Sequence, residues 1–407
     1  MRPTYRTIRL PALLLSAVAF AACGQGSSDG TASAAAQPRG EWDPTTVALL
    51  PEEPPPRGAS QFSTDFSRHV VPYREVFSGG VPKDGIPPLY SPGFASVDEA
   101  DEWLEPTQPV LVVEVGDEAK AYPLQVLTRH EIANDVVGGV PLAVTYCPLC
   151  NTGIAFERTV DGEVVTFGVS GNLRNSNLIM WDSGTETWWQ QATGQGIAGF
   201  YAGFQLTFYP VNLVAWSDFR ASHPGGSVLT GPQGRRPGGY GINPYRFYDS
   251  APEPFLYTGP ETSRELYTMA RVLTIDAGEE AVAYPYQVLE ESRVANDDVA
   301  GNPVVVMWQP GANSVLDASI IADARDVGSA VAFSRRVDGR VLTFEWSGDS
   351  FRDKETGSTW NLLGEASSGS LQGSKLSPEI AINHLWFSWY AFRPETRIYR
   401  GQMSYRA

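Results

Sequence analysis

The stretch AYPLQVLTRHEIANDVVGGVPLAV at 121–144 returns as AYPYQVLEESRVANDDVAGNPVVV at 283–306. Downstream, AFERTVDGEVVTFGVSG at 155–171 returns as AFSRRVDGRVLTFEWSG at 332–348, after a longer connecting loop in the second copy. Further on, SGTETWWQQATGQGIAGFYAG aligns with KETGSTWNLLGEASSGSLQG, which pairs Trp189 with Trp360, and Trp216 through Phe219 aligns with Trp389 through Phe392. Self-similar blocks in one order mean one structural unit written twice. Within a copy, short apolar runs such as VLVVEV, PLAVTY and IAFERTV alternate with turn signals, among them Asp161-Gly162, and this is the pattern of strands and hairpins. Pro123 and Pro285 suit the starts of short helices over 124–128 and 286–290. The expected fold is therefore mainly β with short helices: two homologous β-rich lobes from an internal duplication, packed pseudo-symmetrically. The first lobe spans 61–250 and the second 251–407.

Composition narrows the function. The 407 residues carry 46 acidic against 30 basic side chains, a net charge of −16, and no Lys/Arg-rich run. Nucleic-acid binding is excluded on that balance. Charged residues are 19%, with 40 Gly and 31 Pro, as in a turn-rich β protein and unlike a coiled coil or a disordered chain. Three cysteines rule out a disulfide scaffold. No phosphate loop, dinucleotide fingerprint or HExxH motif occurs, so no nucleotide cofactor is expected.

The amino terminus reads as an address. Arg2, Arg6 and Arg9 precede an apolar run that ends in Ala21-Ala22 before Cys23. The run is too short to span a bilayer, and the whole reads as a secretory signal peptide over 1–22. The cleavage region resembles a bacterial lipobox, which makes Cys23 the lipidated first residue and gives the chain a lipid anchor in the cell envelope, on the extracytoplasmic side. Residues 23–60, rich in Ser, Gly, Ala and Pro, read as a tether. No protein or small-molecule partner is legible.

Differences between the copies point to chemistry. His130 faces Ser292, Glu131 faces Arg293, and Tyr146-Cys147-Pro148-Leu149-Cys150-Asn151 is replaced by Trp308-Gln309-Pro310-Gly311 and a long loop. CPLC between two strands, with Asn151 able to take a left-handed turn, looks like a metal knuckle. Two thiolates with the His130 imidazole suit copper(I) or zinc, in metal handling or redox chemistry. Met180 is a possible additional thioether ligand. Asn134, Asp135 and Glu131 are candidates for orienting the imidazole, although Glu131, next to His130 in an extended strand, should point to the opposite face. Two alternatives stay open: a non-catalytic binding or assembly lipoprotein whose CPLC is a structural disulfide, and a thiol-disulfide oxidoreductase. The second lacks the helix that usually follows such a pair and lowers its thiol pKa. No catalytic residue is assigned. His69, His223 and His384 stand alone in sequence and are expected at the surface.

The blocks GGVPKDGIPPL at 79–89, AYPLQVLTRHEIANDVVGGVPLAVTYCPLCNTGIAF at 121–156 and TFGVSGNLRNSNLIMWD at 166–182 resemble domain-of-unknown-function family 3179. The likeness covers about residues 75 to 400. It implies an exported prokaryotic protein with no assigned activity, and it marks His130, Glu131, Asn134, Asp135, Cys147 and Cys150 as characteristic positions. Asn151 departs from the Gly that usually follows CPLC in that family.

Overall fold

The computed structural model describes residues 42–232 and 239–401. Cys23, the expected signal peptide and the first part of the expected tether lie outside the described residues. The remainder of the expected tether is seated on the body: Trp42 packs edge-on to Phe204 at 5.2 Å, and the Leu50 amide donates to the His69 carbonyl at 2.9 Å. Its few apolar side chains find a surface that composition alone does not reveal.

The first half contains the hairpin β1 (Pro109–Val115) and β2 (Glu118–Pro123), and Pro123 then caps the helix α1 (Leu124–His130). A second hairpin, β3 (Ile132–Val137) and β4 (Val140–Cys147), turns at Gly138-Gly139, both at positive φ. β4 pairs with β5 (Thr152–Glu157) across the CPLC turn. β6 (Phe167–Arg174) and β7 (Asn177–Asp182) follow, then β8 (Trp188–Gln190). β9 (Asn212–Ala215) returns to β1 and feeds helix α2 (Trp216–Ser222). These strands belong to three sheets of five, four and five strands. The apolar runs are buried almost continuously.

The second half runs in the same order. β10 (Arg271–Asp276) and β11 (Ala281–Pro285) lead into α3 (Tyr286–Ser292), then β12 (Val294–Val299), β13 (Asn302–Gln309) and β14 (Ser329–Ser334). β15 (Phe344–Trp346), β16 (Phe351–Asp353) and β17 (Thr359–Trp360) come next, and β18 (Ala381–Leu385) pairs with β10 ahead of α4 (Trp386–Tyr390). Both expected helices are present and run two residues further than the pattern predicts, to His130 and Ser292. The fold is mainly β, with few short helices among several sheets.

Polar brackets recur at matched positions. Asn134 accepts from the Phe167 amide at 2.7 Å and donates to its carbonyl at 2.9 Å; Asn296 does the same at Phe344, at 2.8 Å each. Tyr122 donates to Asp135 at 2.6 Å and Tyr284 to Asp297 at 2.9 Å. The indoles of Trp189 and Trp360 donate to Asp182 and Asp353, each at 2.9 Å. One alignment is corrected. The Trp216 amide donates to Gln108 O and the Trp386 amide to Ala270 O, each at 2.8 Å, so Trp386, not Trp389, takes the place of Trp216. The two tryptophans lie about one helical turn apart, a slip that apolar spacing alone does not resolve. Between the halves, β5 lies beside β18 and β9 beside β14. No described helix is long and apolar enough to cross a membrane.

Candidate functional site

Cys147 is the last residue of β4, and Thr152, opposite it in register, is the first of β5. Between them Pro148–Cys150 make one 3-10 turn, and Asn151 closes it in the left-handed region at φ 52°, ψ 39°. Asn tolerates that conformation because its short side chain bonds locally, and here Asn151 accepts from the Tyr146 hydroxyl at 3.1 Å. Both cysteines are buried free thiols. Their sulfurs point at a single carbonyl, that of Ser176, at 3.8 Å from Cys147 and 3.4 Å from Cys150. Burial pushes the Cys147 thiol well up, and so do the hydrogen bond and charge of Cys150 beside it; the amides of Leu178 and Cys150 face its sulfur and pull the other way.

The disulfide alternative is therefore corrected: the two sulfurs are not bonded to each other, and both turn toward Ser176. Ser176 is itself in the left-handed region at φ 64°, following Asn175 at 53°, in the two-residue turn that joins β6 to β7. Such turns match the twist of a hairpin, and this one carries its carbonyl inward. The Ser176 hydroxyl donates to Phe255 O at 2.6 Å, and the Tyr248 hydroxyl to Leu149 O at 2.9 Å. Tyr248 and Phe255, from the segment that joins the two halves, thus contact the knuckle and its facing turn.

Glu131 and His130 exchange the places expected of them. Glu131 is not in an extended strand: it ends α1 at φ 57°, ψ −30°, with its amide on Leu127 O. That reversal aims the carboxyl inward, where burial first and the neighbouring Cys147 second push it well above the usual carboxylate range. His130 turns away, its Nδ1 2.7 Å from Pro87 O and its Nε2 2.6 Å from the Tyr240 hydroxyl. Burial lowers its pKa, with the Pro87 contact opposing. It lines a cavity of about 460 Å³ with Pro87, Pro88, Arg129 and Tyr240. Among the described residues the ligand atoms of Cys147, Cys150 and His130 do not form a group within 4.8 Å of one another.

The residues expected to orient that imidazole do other work. Asn134 braces Phe167, as described above. Asp135 accepts from Lys120 at 3.0 Å and from Tyr122, a buried ion pair that ties β2 to β3. Pro87 and Tyr240 hold the ring instead. Met180 is fully buried in β7, paired with Val169 and Trp189, in the apolar cluster that also contains both cysteines.

Three partners of the knuckle went unread in the sequence. Asn177 donates to Gln191 Oε1 at 2.8 Å, and Gln191 in turn donates to Thr145 Oγ1 at 3.0 Å and Thr152 O at 3.2 Å. His384, from β18 of the second half, meets Thr152 Oγ1 through Nδ1 at 2.8 Å. The expectation of surface histidines fails for His384 and His69, both at zero exposure. His69 bridges Val71 O and Pro51 O, at 2.9 and 3.1 Å. The only signal available was the Asn175-Ser176-Asn177 hairpin turn; nothing local marks His384.

A second gathering joins the halves elsewhere. Glu114, His223 and Glu365 bring ligand atoms within 4.8 Å, and Lys375 already contacts both carboxylates. Burial raises the Glu114 carboxyl, but His223 and Lys375 outweigh it and hold the pKa low. Lys375 thus offsets part of the cluster's negative charge from within the chain.

No curated protein and no solved structure gives a significant match to this chain. One family model does, over residues 83–396, a span that holds the CPLC turn, its Ser176 carbonyl and His384; the chain belongs to the family described as Protein of unknown function (DUF3179).

Proposed function

We propose that this protein is an extracytoplasmic lipoprotein, anchored through Cys23, that binds a thiophilic metal ion at Cys147 and Cys150. The observation that carries this is the pair of buried, free sulfurs facing one carbonyl, with backbone amides on Cys147. Buried thiols without a nearby cation stay protonated, and a bound ion removes their protons and reverses that preference. Copper(I) fits better than zinc, because thiolate ligands select it and two sulfurs fall short of the four ligands zinc takes. A redox dithiol needs an accessible, low-pKa thiolate, and the raised, buried Cys147 argues against that role.

We also infer that the two halves descend from one duplicated unit, with the second having no thiol site. The matched Asn134/Asn296, Tyr122/Tyr284 and Trp189/Trp360 brackets support this, as does the reciprocal contact of β5 with β18 and β14 with β9. The test of function is elemental analysis of the mature protein together with thiol titration. The expected result is about one equivalent of copper with two protected thiols. Metal-free protein that still takes up no copper(I) after reduction overturns the reading.

A further inference from the structure

We propose that His384 is a positioning residue of the Cys147–Cys150 site, supplied across the boundary between the halves. The inference rests on the metal-binding reading above. Thr152 is the hinge of the argument. It pairs with Cys147 in register, its hydroxyl reaches the Cys150 carbonyl at 3.2 Å, and that same hydroxyl lies 2.8 Å from His384 Nδ1. Thr152 therefore touches both ends of the CPLC turn.

A hydroxyl has one proton. Both contacts are satisfied together when Thr152 donates to Cys150 O and His384 donates Nδ1–H to Thr152 Oγ1. That assignment fixes the imidazole as the neutral Nδ1–H tautomer and leaves Nε2 as a bare lone pair. Nε2 is indeed buried without a hydrogen-bond partner, and His384 has zero exposure. Burial pushes its pKa down to about 3, consistent with a ring that stays neutral. Trp389 packs against the ring at 5.1 Å and limits its rotation. Gln191 holds the other side of Thr152 through its carbonyl. Two independent polar arms thus set one residue, which sets the turn that spaces the sulfurs.

The first half has no counterpart. With Trp216 and Trp386 equivalent, His384 stands where the first half has Val214, and Gln309 stands where it has Cys147. The histidine therefore serves the thiol site of the other half and not a site of its own. This explains a buried imidazole that packing alone does not require: an apolar residue would fill the space without leaving a ring nitrogen unpaired.

The test measures copper(I) affinity of the full mature protein by competition with bicinchoninate under anaerobic conditions. His384→Leu and Thr152→Val should each weaken binding about 10- to 100-fold, the usual cost of losing a residue that orients a metal ligand. The double variant should be no weaker than Thr152→Val alone, because that substitution already removes the hydroxyl through which His384 acts. His384→Asn, whose amide can still donate to Thr152, should recover most of the affinity. Thermal unfolding of each variant separates misfolding from loss of positioning. Folded His384→Leu protein with wild-type affinity overturns the proposal, as do additive losses in the double variant. If the wild type itself binds no copper(I), the metal reading has failed instead, and the two failures are distinguishable.

Discussion

Asp218 offers a stability prediction that depends on how the halves pack. It lies in the first turn of α2, accepts from the Ala215 amide at 3.3 Å, and accepts from Gln309 Nε2 of the second half at 2.8 Å. Burial raises its pKa to about 6, against the opposing Ala215 and Gln309 hydrogen bonds. In the unfolded chain the ordinary value is 3.8. Between those two values the folded protein holds more protons than the unfolded chain, so stability falls as pH rises through that window. Two pKa units correspond to about 3 kcal/mol, an upper bound on the cost above pH 6. Asp218→Asn keeps the shape and removes the charge, while the Gln309 amide can flip to accept from the new NH2. The variant should be about 1–3 kcal/mol more stable than wild type near pH 7.5, with the difference vanishing near pH 4. Urea unfolding followed by tryptophan fluorescence across that range measures both. An equal change at both pH values, or a loss at pH 7.5, refutes the reasoning.

Asn134→Ala leaves the Phe167 amide and carbonyl unpaired in the interior and should cost about 2–4 kcal/mol in urea unfolding; Asn296→Ala, at a more open site, should cost less. Lys120→Met strands the Asp135 carboxylate among buried neighbours and should cost about 3–5 kcal/mol, visible as a large drop in Tm. In the metal-free native protein both thiols should react with Ellman's reagent only as fast as the structure opens, since neither sulfur-bearing residue exceeds 2% exposure; immediate stoichiometric reaction contradicts the burial.

The hairpins, the two short helices and the left-handed Asn151 were legible because each is a local matter of alternation, proline placement and turn chemistry. The facing of His130 and Glu131 was not. A strand assignment puts neighbours on opposite faces and leaves open which one is inside, and the helix actually present ends at Glu131 with a positive φ that turns its carboxyl toward Cys147. His384 was out of reach for another reason. Its contact with Thr152 spans 232 residues and follows from how β18 lies beside β5, which no local pattern encodes. The misplaced Trp389 shows the same limit, since hydrogen bonding at the start of α4 and not apolar spacing fixes the equivalence with Trp216.

Copper K-edge X-ray absorption on the mature protein loaded with one equivalent of copper(I) tests the central claim most directly. The account predicts a coordination shell of two sulfurs, lost in both Cys147→Ser and Cys150→Ser and unchanged in His130→Ala. A shell dominated by nitrogen or oxygen, or one that depends on His130, contradicts it.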